Sequence, residues 1–502
     1  MELRDRHILI LGLGVTGLAI AHLCLSRGAR ILIWDSRANA PQESEFVETF
    51  GAENRLAPDI AGTDARLALI DLVAISPGLA LDHGPAERFV TVARTRGTPI
   101  WGEFEFFAQE LAALAQGGYR PKVIGVTGTN GKTTVTSLTG HLCRRAGKSV
   151  VVAGNIGPPV LDAFKRALDE DALPEVWVLE LSSFQLETTH SLAFDAAAFL
   201  NLSQDHLDWH GSMAAYRKSK LRIFTKAQTR VVNRADKAVT SGEAELARAP
   251  DTRVVSFGLD APRARSELGV VVHADMRWLA LAESADQPQP LARRTKVVPL
   301  GPAHVTRLMP VEALRIRGDH NVLNALAALG LARAIDLPVA PLLRALAEYR
   351  GESHRVEVIG RLQGIDFIDD SKGTNVGATV AALNGLGQRV VLIAGGLGKG
   401  QDFSPLARPV ARHARAVVLI GQDRMRLKAA ISKAASEAQV VIDEQPTLEA
   451  AVERAFALAE EGDAVLLSPA CASLDMFRDY AHRAAVFASA MRALMVEAGQ
   501  PC

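Results

Sequence analysis

A glycine-rich loop between a short apolar strand and a helix is the feature that most limits what this chain can fold into. The segment is KVIGVTGTNGKTT, from Lys122 to Thr134. Gly128 and Gly131 let the backbone bend so that successive N–H groups point at one anion, and the following helix adds its positive dipole end. Val126 stands where the general pattern has a further glycine, which leaves the shorter motif G-T-N-G-K-T-T. The segment predicts a site for the phosphates of a nucleoside triphosphate.

Two side chains of this loop carry the predicted chemistry. Lys132 supplies a mobile cation for the phosphates, and the hydroxyl of Thr133 can ligate Mg²⁺. The alternative is a plain glycine and threonine turn with a solvated lysine. The strand–loop–helix context favours the phosphate site and makes the chain a predicted user of ATP.

The bulk composition is that of a globular α/β protein. The chain has 502 residues, which predicts about three domains of ~150 residues. Its 56 basic and 56 acidic residues balance, so no broad attraction to nucleic acid or to an anionic membrane is predicted. Cys24, Cys143, Cys471 and Cys502 lack metal-site spacing and indicate reduced thiols. Without an apolar run of about 20 residues or a signal-peptide pattern, we expect a cytoplasmic protein with no membrane span.

Strand and helix patterns alternate along the chain, which predicts an α/β fold of three domains. We expect a Rossmann-like N-terminal domain over residues 1–110, a central P-loop ATPase domain with a parallel sheet over 111–351, and a C-terminal Rossmann-like, doubly wound domain over 352–502. The predicted strands include His7–Leu11, Leu69–Ile75, Val176–Leu181, Ala196–Leu202 and Phe367–Asp370. The pattern weakens over residues 262–310, an elaboration of the central domain with no assignable function.

The first strand leads into a second glycine-rich turn. It is Gly12-x-Gly14-x-x-Gly17, and Asp35 follows the next predicted strand. Such a turn with a later acidic residue often binds NAD, although alone it is a weak signal. The same backbone amides can hold a different pyrophosphate, so the motif leaves the ligand open.

Two side chains of the central domain follow predicted strands, where ligands gather in doubly wound sheets. Glu180 ends an apolar strand, and a carboxylate there is costly to desolvate unless it is paired or bound to a cation. We predict a Mg²⁺ ligand; an ordinary buried ion pair is the alternative. His206 lies beyond the next strand between Asp205 and Asp208, which is compatible with a metal or substrate role or with a surface histidine.

Lys220 lies on the apolar face of a predicted helix. Steps of 100° per residue place it among Met213, Tyr216, Ile223 and Phe224, while Lys218 and Arg222 point away. One interpretation is a lysine whose stem is buried while its ammonium reaches water. The other is a desolvated lysine with a lowered pKa and a reactive neutral amine. The helical periodicity does not decide between them.

Three small-residue loops follow strands of the C-terminal domain. They are DSKGTN from Asp370, GGLGKGQDF around Lys399, and SPACASLDMF from Ser468. Each taken singly is compatible with a plain turn. Because the carboxyl ends of parallel strands meet at one sheet edge, the three together predict a pocket for an anionic substrate.

The ordered motifs of this chain resemble those of the Mur ligase family. They are GVTGTNGKTT, GNIG at 154–157, LELSSFQLE at 179–187, DHLD at 205–208, the Lys220 helix, GDHNVLNALAA at 318–328, HRVE at 354–357, DDSKGTN at 369–375, GGLGKG at 395–400 and SPACASLD at 468–475. DDSKGTN and SPACASLD are most similar to those of members that add D-glutamate. Trp209 departs from the family, which often has arginine after DHLD.

The resemblance implies a reaction in which UDP-N-acetylmuramoyl-L-alanine is phosphorylated by ATP and the acyl phosphate is attacked by the amine of D-glutamate. The expected setting is cytoplasmic peptidoglycan precursor synthesis, by a monomer. Lys132, His206 and Lys220 are the implied catalytic residues. Thr133 and Glu180 are the implied ligands of one Mg²⁺; His206 and Lys220, the latter carrying CO₂ as a carbamate, serve a second.

The resemblance also assigns binding residues. For ATP they are Gly128, Thr129, Asn130, Gly131, Lys132, Thr133, Thr134, Asn321, Asn324, Arg355, Asp370 and Lys372. For the UDP-linked substrate they are Gly14, Val15, Thr16, Asp35, Ser36, Arg37 and Asn155. For D-glutamate they are Thr374, Lys399, Ser473, Leu474 and Tyr480.

Three alternatives make different predictions. A nicotinamide-dependent oxidoreductase with an accessory P-loop domain would bind NAD(P)H at the first glycine turn. A nucleotide-switched interaction protein would hydrolyse ATP slowly and ignore D-glutamate. A folate-glutamylating enzyme would lack the uridine-binding first domain.

Overall fold

The protein is described by a computed structural model that covers residues 2–60, 65–284 and 303–499. These residues form three β-sheets with helices packed against them, in chain order. In the same ranges, no helix combines the length and the apolar character that crossing a membrane requires. Cys24, Cys143 and Cys471 are buried free thiols, and Cys502 lies outside the described ranges.

The N-terminal sheet has five parallel strands in the order β3-β2-β1-β4-β5. Its elements are β1 (His7–Leu11), α1 (Val15–Ser26), β2 (Arg30–Trp34), α2 (Glu43–Phe50), β3 (Arg55–Leu56), β4 (Leu72–Ile75), α3 (Glu87–Arg96), β5 (Ile100–Trp101) and α4 (Glu103–Gln116). The strand predicted from Leu69 starts only at Leu72, because the residues up to Leu69 form a 3₁₀ turn.

The central sheet has nine strands in the order β14-β13-β12-β11-β10-β9-β6-β8-β7. Its first elements are β6 (Lys122–Thr127), α5 (Lys132–Arg145), β7 (Val150–Gly154), α6 (Val160–Asp169), β8 (Val176–Glu180), α7 (Ser183–Glu187), β9 (Phe194–Phe199), α8 (Leu207–His210) and α9 (Met213–Leu221). It continues with β10 (Ala227–Asn233), α10 (Lys237–Glu245), β11 (Arg253–Phe257), β12 (Glu267–His273), β13 (Met276–Ser284), β14 (Ala303–Pro310), α11 (Asp319–Ala334) and α12 (Val339–Glu348).

The elaboration at 262–310 contributes three strands to one side of this sheet. β12 joins β11 in parallel, whereas β13 and β14 pair antiparallel, so the predicted parallel sheet is mixed at that side. A tight turn between β12 and β13 makes antiparallel pairing the geometry available, since a parallel pair needs a long crossover. Residues 285–302 of the elaboration lie outside the described ranges.

The C-terminal sheet has the order β15-β16-β20-β17-β18-β19. Its elements are β15 (Glu357–Leu362), β16 (Ile365–Asp369), α13 (Val376–Gly385), β17 (Val390–Gly395), α14 (Ala407–His413), β18 (Ala414–Ile420), α15 (Arg424–Glu437), β19 (Val441–Glu444), α16 (Leu448–Leu458), β20 (Ala464–Leu467) and α17 (Tyr480–Glu497). β15 is antiparallel to β16, and the remaining pairs are parallel. The parallel strands therefore end at one edge and bring their following loops together.

Helix α4 connects the first sheet to the central one. The buried Glu103 carboxylate accepts the N–H of Leu161 at 3.1 Å, in the first turn of α6. Further along α4, Phe107 packs edge-on against Trp177 of β8, with ring centroids 5.0 Å apart. The helix spans residue 110, and the domain limits 1–110, 111–351 and 352–502 stay a prediction.

Candidate active site

The phosphate loop lies between β6 and α5, and the loop after β9 braces it. Asn201 accepts the N–H of Thr129 on its carbonyl at 3.0 Å and the N–H of Asn130 on its side chain at 2.9 Å. Gly131 has a φ of +81°, a backbone conformation that disfavours any side chain. Thr133 and Thr134 are buried in the first turn of α5. The strand–loop–helix arrangement predicted from the sequence is confirmed.

Two lysines converge on one carbonyl of this loop. Nζ of Lys132 lies 3.0 Å from the oxygen of Gly128, and Nζ of Lys220 lies 2.7 Å from the same oxygen. Lys132 also donates to the carbonyl of Thr129 at 2.9 Å. Loss of solvent around the two ammonium groups lowers the pKa of both, and that of Lys220 falls well below its usual range.

Lys220 is enclosed by its own helix and the phosphate loop. It is 1% exposed, and its Nζ lies 4.7 Å from the ring centroid of Tyr216. The hydroxyl of Tyr216 is 3.2 Å from that of Thr129 and so fixes α9 against the loop. The predicted inward direction of Lys220 is confirmed, and the snorkelling interpretation is excluded because the ammonium is buried.

One neighbour on this helix was predicted wrongly. Arg222 was expected to point away, but its guanidinium donates to the carbonyls of Leu186 at 2.6 Å and Thr189 at 3.2 Å. The physical reason is that α9 ends at Leu221 and a 3₁₀ turn follows. The tighter turn rotates the side chain away from the position that 100° steps give.

Glu180 has one carboxylate oxygen with a partner and one without. Its Oε1 accepts the amide of Asn155 at 2.6 Å. Its Oε2 is buried and has no hydrogen-bond partner among the described residues. Because β8 pairs in register with β6 at Val126, this oxygen lies beside the start of the phosphate loop. A buried carboxylate oxygen without a donor fits a bound cation.

Thr133, the other implied ligand of that cation, contacts the C-terminal domain. The guanidinium of Arg355 donates to its hydroxyl oxygen at 2.8 Å. Nε of Arg355 is buried without a partner among the described residues, so the guanidinium keeps an N–H for a further acceptor. This contact brings a cation from a distant part of the chain to the phosphate loop.

His206 follows the loop that braces the phosphate site. Its φ is +53°, and its Nε2 lies 3.5 Å from Oδ2 of Asp205. Burial lowers the pKa of the imidazole, although the charge of Asp205 acts in the opposite direction. The ring packs against Phe184 with centroids 4.7 Å apart. A neutral imidazole is the form that binds metal ions.

A cavity of about 290 Å³ lies between the phosphate loop and the C-terminal domain. Several of the residues assigned to ATP line this cavity: Asn130, Gly131, Thr134, Asn321, Asn324, Arg355 and Asp370. Burial raises the pKa of the Asp370 carboxyl to about 7, although Ser468 donates to it at 2.7 Å. The lining also includes His320, Phe257 and Glu352, which the sequence had not marked as contacts.

Lys372, also assigned to ATP, lies beside a residue assigned to D-glutamate. Its Nζ is 5.2 Å from the ring centroid of Tyr480. Burial and the neighbouring Arg355 lower the pKa of the Lys372 ammonium. Its place between the two assigned sets is compatible with a contact to either substrate.

The three C-terminal loops meet as predicted. Ala470 donates its N–H to the carbonyl of Gly373 at 3.1 Å, and Leu397 forms a β-bridge with Ala472. The residues assigned to D-glutamate are exposed to different degrees: Ser473 is buried, Thr374 and Tyr480 are half-buried, and Lys399 and Leu474 are exposed. The exposed ammonium of Lys399 is accessible to an anion.

The residues assigned to the UDP end line one cavity of the first domain, of about 340 Å³. Gly14, Val15, Thr16, Asp35, Ser36 and Arg37 all belong to it. Burial acts to raise the pKa of Asp35, but hydrogen bonds from Arg37 and from the N–H of Leu13 outweigh it and hold the value at about 2. Asn155, also assigned to this substrate, lies in the central domain, where it donates a hydrogen bond to Glu180.

Comparison with known proteins adds an independent line of evidence. Three family models match in order: the Mur ligase MurD-like N-terminal domain over residues 6–102, the Mur ligase middle domain over 126–332, and the glutamate ligase domain of Mur ligases over 354–471. The UDP-N-acetylmuramoylalanine–D-glutamate ligase of Burkholderia thailandensis is 54% identical over 508 aligned positions, which cover 98% of each chain. The chain belongs to the Mur ligase family.

Solved structures of Mur ligases share the fold. The UDP-N-acetylmuramate–alanine ligase of Thermotoga maritima superposes with a TM-score of 0.56 at 19% identity, over 97% of this chain and 99% of that one. The MurF ligase of the same organism, solved with ADP, gives 0.55 at 15% identity, over 98% and 96%. The predictions of family, α/β fold and ATP-dependent ligase class are confirmed.

This Mur ligase has an aromatic cluster at the predicted departure from the family. The ring of Trp209 lies 4.8 Å from that of Phe184 and 4.5 Å from that of His210. Nε2 of His210 is 2.8 Å from the hydroxyl of Ser183, which anchors α8 to α7. Sequence reasoning missed His210, although two aromatic residues directly after DHLD were the available signal.

Proposed function

We propose that this Mur ligase joins D-glutamate to UDP-N-acetylmuramoyl-L-alanine with the hydrolysis of ATP to ADP and phosphate. The observation that carries the proposal is the convergence of Lys132 and Lys220 on Gly128, beside the unpartnered oxygen of Glu180. The phosphate-loop lysine, a second buried lysine and a candidate cation ligand thus share one site beside the phosphate loop. The 54% identity to D-glutamate ligases supports the choice of amino acid.

The first step transfers a phosphoryl group. The carboxylate oxygen of the alanyl residue attacks the γ-phosphorus of ATP, and the bond from that phosphorus to the β,γ-bridging oxygen breaks. Lys132 and Arg355, which both contact the phosphate loop or the start of α5, are proposed to stabilise the charge that moves to the equatorial and leaving oxygens. The products of this step are an acyl phosphate and ADP.

The second step forms the amide. The amine of D-glutamate attacks the acyl carbon and gives a tetrahedral intermediate. This intermediate collapses with cleavage of the carbon–oxygen bond to phosphate, and the nitrogen loses a proton. The loops with Thr374, Lys399, Ser473 and Tyr480 are proposed to hold the two carboxylates of the amino acid. Their meeting at one sheet edge supports this assignment.

Two Mg²⁺ ions belong to the proposal. Glu180 and Thr133 would hold one, and His206 with a carbamate on Lys220 would serve the other; bound there, the ions would neutralise phosphate charge. The unpartnered Oε2 of Glu180 and the lowered pKa of His206 fit these roles. Burial lowers the pKa of Lys220, which favours the neutral amine that reacts with CO₂.

Phosphate release from ATP in the presence of UDP-N-acetylmuramoyl-L-alanine tests the proposal. We expect release that depends on D-glutamate and that is at least tenfold slower with L-glutamate or diaminopimelate. Equal rates with all three amino acids would contradict the proposed specificity. NAD(P)H binding at Gly12–Gly17, measured by fluorescence titration, would instead support the oxidoreductase. Sedimentation analysis tests the predicted monomer, and cell fractionation tests the predicted cytoplasmic location.

A further inference from the structure

Asn375 joins three functional loops through a single side chain. It follows Thr374 in the DDSKGTN loop, and it is only 5% exposed. Its Nδ2 donates to Oδ1 of Asn130 in the phosphate loop at 3.0 Å and, over a longer 3.4 Å, to Oδ2 of Asp205. Its Oδ1 accepts the N–H of Ala378 at 3.0 Å and so caps α13.

The hydrogen-bonding groups of this amide are therefore used in three directions. The two N–H groups face the central domain, and the oxygen faces its own helix. Asp205 also accepts the backbone N–H of His206 at 2.9 Å. A movement of Asn375 would thus disturb the hydrogen bond to the phosphate loop and, through Asp205, the position of His206.

The surrounding contacts leave little room for another arrangement. A Cβ atom on Gly377 would lie 3.0 Å from Nδ2 of Asn130 and 3.0 Å from the hydroxyl of Ser203. Nearby, the N–H of Asp402 donates to the side chain of Gln204 at 3.3 Å. Gly377 thus lies close to the phosphate loop and to the loop after β9, and Asp402 is hydrogen-bonded to the latter, so the two domains are closely packed around the Asn375 amide.

We infer that Asn375 is a positioning residue that sets the closed position of the C-terminal domain on the phosphate loop. In this position the DDSKGTN loop, which includes Thr374, contacts the phosphate loop. The inference rests on the proposed function for its kinetic part, whereas the domain position can be measured without it. Its partners Asn130 and Asp205 belong to the central domain, so both hydrogen bonds require the C-terminal domain to lie against the phosphate loop.

Asn375→Ser separates the two roles of the side chain. Serine still caps α13, because its hydroxyl accepts the same backbone N–H, but it is too short to reach Asn130. Asn375→Asp keeps both the cap and the length, yet places a carboxylate against Asp205. The matched control is Asn384→Ser, an exposed position at the other end of α13.

Two measurements test the inference. Small-angle scattering of the full chain with and without a non-hydrolysable ATP analogue and UDP-N-acetylmuramoyl-L-alanine reports domain closure. Steady-state kinetics report kcat/KM for D-glutamate. We expect ligand-induced compaction in the wild type and in Asn384→Ser. Asn375→Ser should show no compaction and should lose at least 20-fold in kcat/KM for D-glutamate. Asn375→Asp should lose more than Asn375→Ser because like charges then face each other.

Compaction or kcat/KM of Asn375→Ser equal to that of the control would overturn the inference. If Asn375→Ser does not fold, Asn375→Asp carries the test, since it retains the cap and the side-chain volume. A wild type that compacts but shows no D-glutamate-dependent turnover would contradict the proposed function. The scattering comparison would then still decide whether Asn375 sets the domain position.

Discussion

Lys132 and Lys220 donate hydrogen bonds to the same carbonyl oxygen, that of Gly128, at 3.0 and 2.7 Å. Burial lowers the pKa of both ammonium groups, and repulsion from Lys132 lowers the pKa of Lys220 further. Anionic phosphates would relieve the repulsion. The arrangement of the two lysines therefore favours the binding of phosphates at this loop.

Lys132→Ala should lower kcat by ~10²–10³, the size expected when one donor to transition-state charge is removed. Lys148→Ala is the control, because Lys148 is partly exposed and pairs with the surface Glu175 at 2.7 Å. Phosphate release under saturating substrates measures the effect. Turnover within twofold of the control would contradict the assignment of Lys132 to the phosphates.

Lys220→Ala should be largely inactive, whereas Lys218→Ala on the exposed side of the same helix should keep normal activity. Activity of the wild type should fall in CO₂-depleted buffer and return when bicarbonate is added. Nuclear magnetic resonance with ¹³CO₂ gives an independent readout, a carbamate signal that Lys220→Ala lacks. A wild type without that signal and without CO₂ dependence would refute the carbamate.

Glu180→Gln should raise the Mg²⁺ concentration for half-maximal activity at least tenfold, which corresponds to about 1.4 kcal/mol. Glutamine keeps the size of the side chain but places a neutral amide where Oε2 has no partner. Titration with Mn²⁺ followed by electron paramagnetic resonance checks the loss without an activity assay. Unchanged metal affinity would assign Glu180 to holding Asn155 alone.

Gly131→Ala should weaken ATP binding more than backbone strain alone explains. A Cβ atom there would lie 2.5 Å from Oδ1 of Asn324, a residue assigned to the nucleotide. Gly147→Ala is the matched control, since its φ is +86° and no atom of the described residues lies within 4 Å of the new Cβ. Both variants should lose about 1–2 kcal/mol of stability, but only Gly131→Ala should raise KM for ATP tenfold. Equal KM values for ATP in the two variants would show that the side chain of Asn324 can move away from the new Cβ atom without loss of ATP binding.

Glu103→Gln should change how stability depends on pH. Burial raises the pKa of Glu103 from 4.5 to about 7, so the folded state binds the proton more tightly than the unfolded state. Wild-type stability should therefore fall as pH rises from about 4.5 to 7, by about 3 kcal/mol at most. Glutamine stays neutral and should gain relative stability over this range.

Glu105→Gln should change the pH dependence of stability in the opposite direction. Burial acts to raise the pKa of Glu105, but hydrogen bonds from Ser191, His190 and Gln109 outweigh it and lower the value. Its contribution is present at neutral pH and is lost as pH falls through the folded pKa, so the variant should lose relative stability as pH rises. Urea midpoints at pH 5 and 8 measure Glu103→Gln, and midpoints at about pH 3 and 6 measure Glu105→Gln, because the Glu105 contribution changes only below its ordinary pKa of 4.5. Parallel trends in the two would contradict the assignments.

Local pattern was sufficient for much of the fold. Both bounds of β1 were predicted correctly, and β8 was predicted to within one residue, because continuous apolar runs are local signals. Helical periodicity was also sufficient for the direction of Lys220. It was not sufficient for Arg222, since the change from α to 3₁₀ geometry after Leu221 depends on packing against α7.

The amino-acid sequence by itself determined which chemical groups this protein has and in which order: a phosphate loop, a carboxylate at a strand end, a lysine on a helical face and small-residue loops. Only the tertiary structure decided which of these groups lose water and which meet. Asn375 contacts Asn130 across 245 positions of sequence. Oε2 of Glu180 has no partner among the described residues, although Asn155 donates a hydrogen bond to Oε1 of the same carboxylate. Desolvation and hydrogen-bond pairing depend on atoms contributed by distant elements, and no local pattern specifies those atoms.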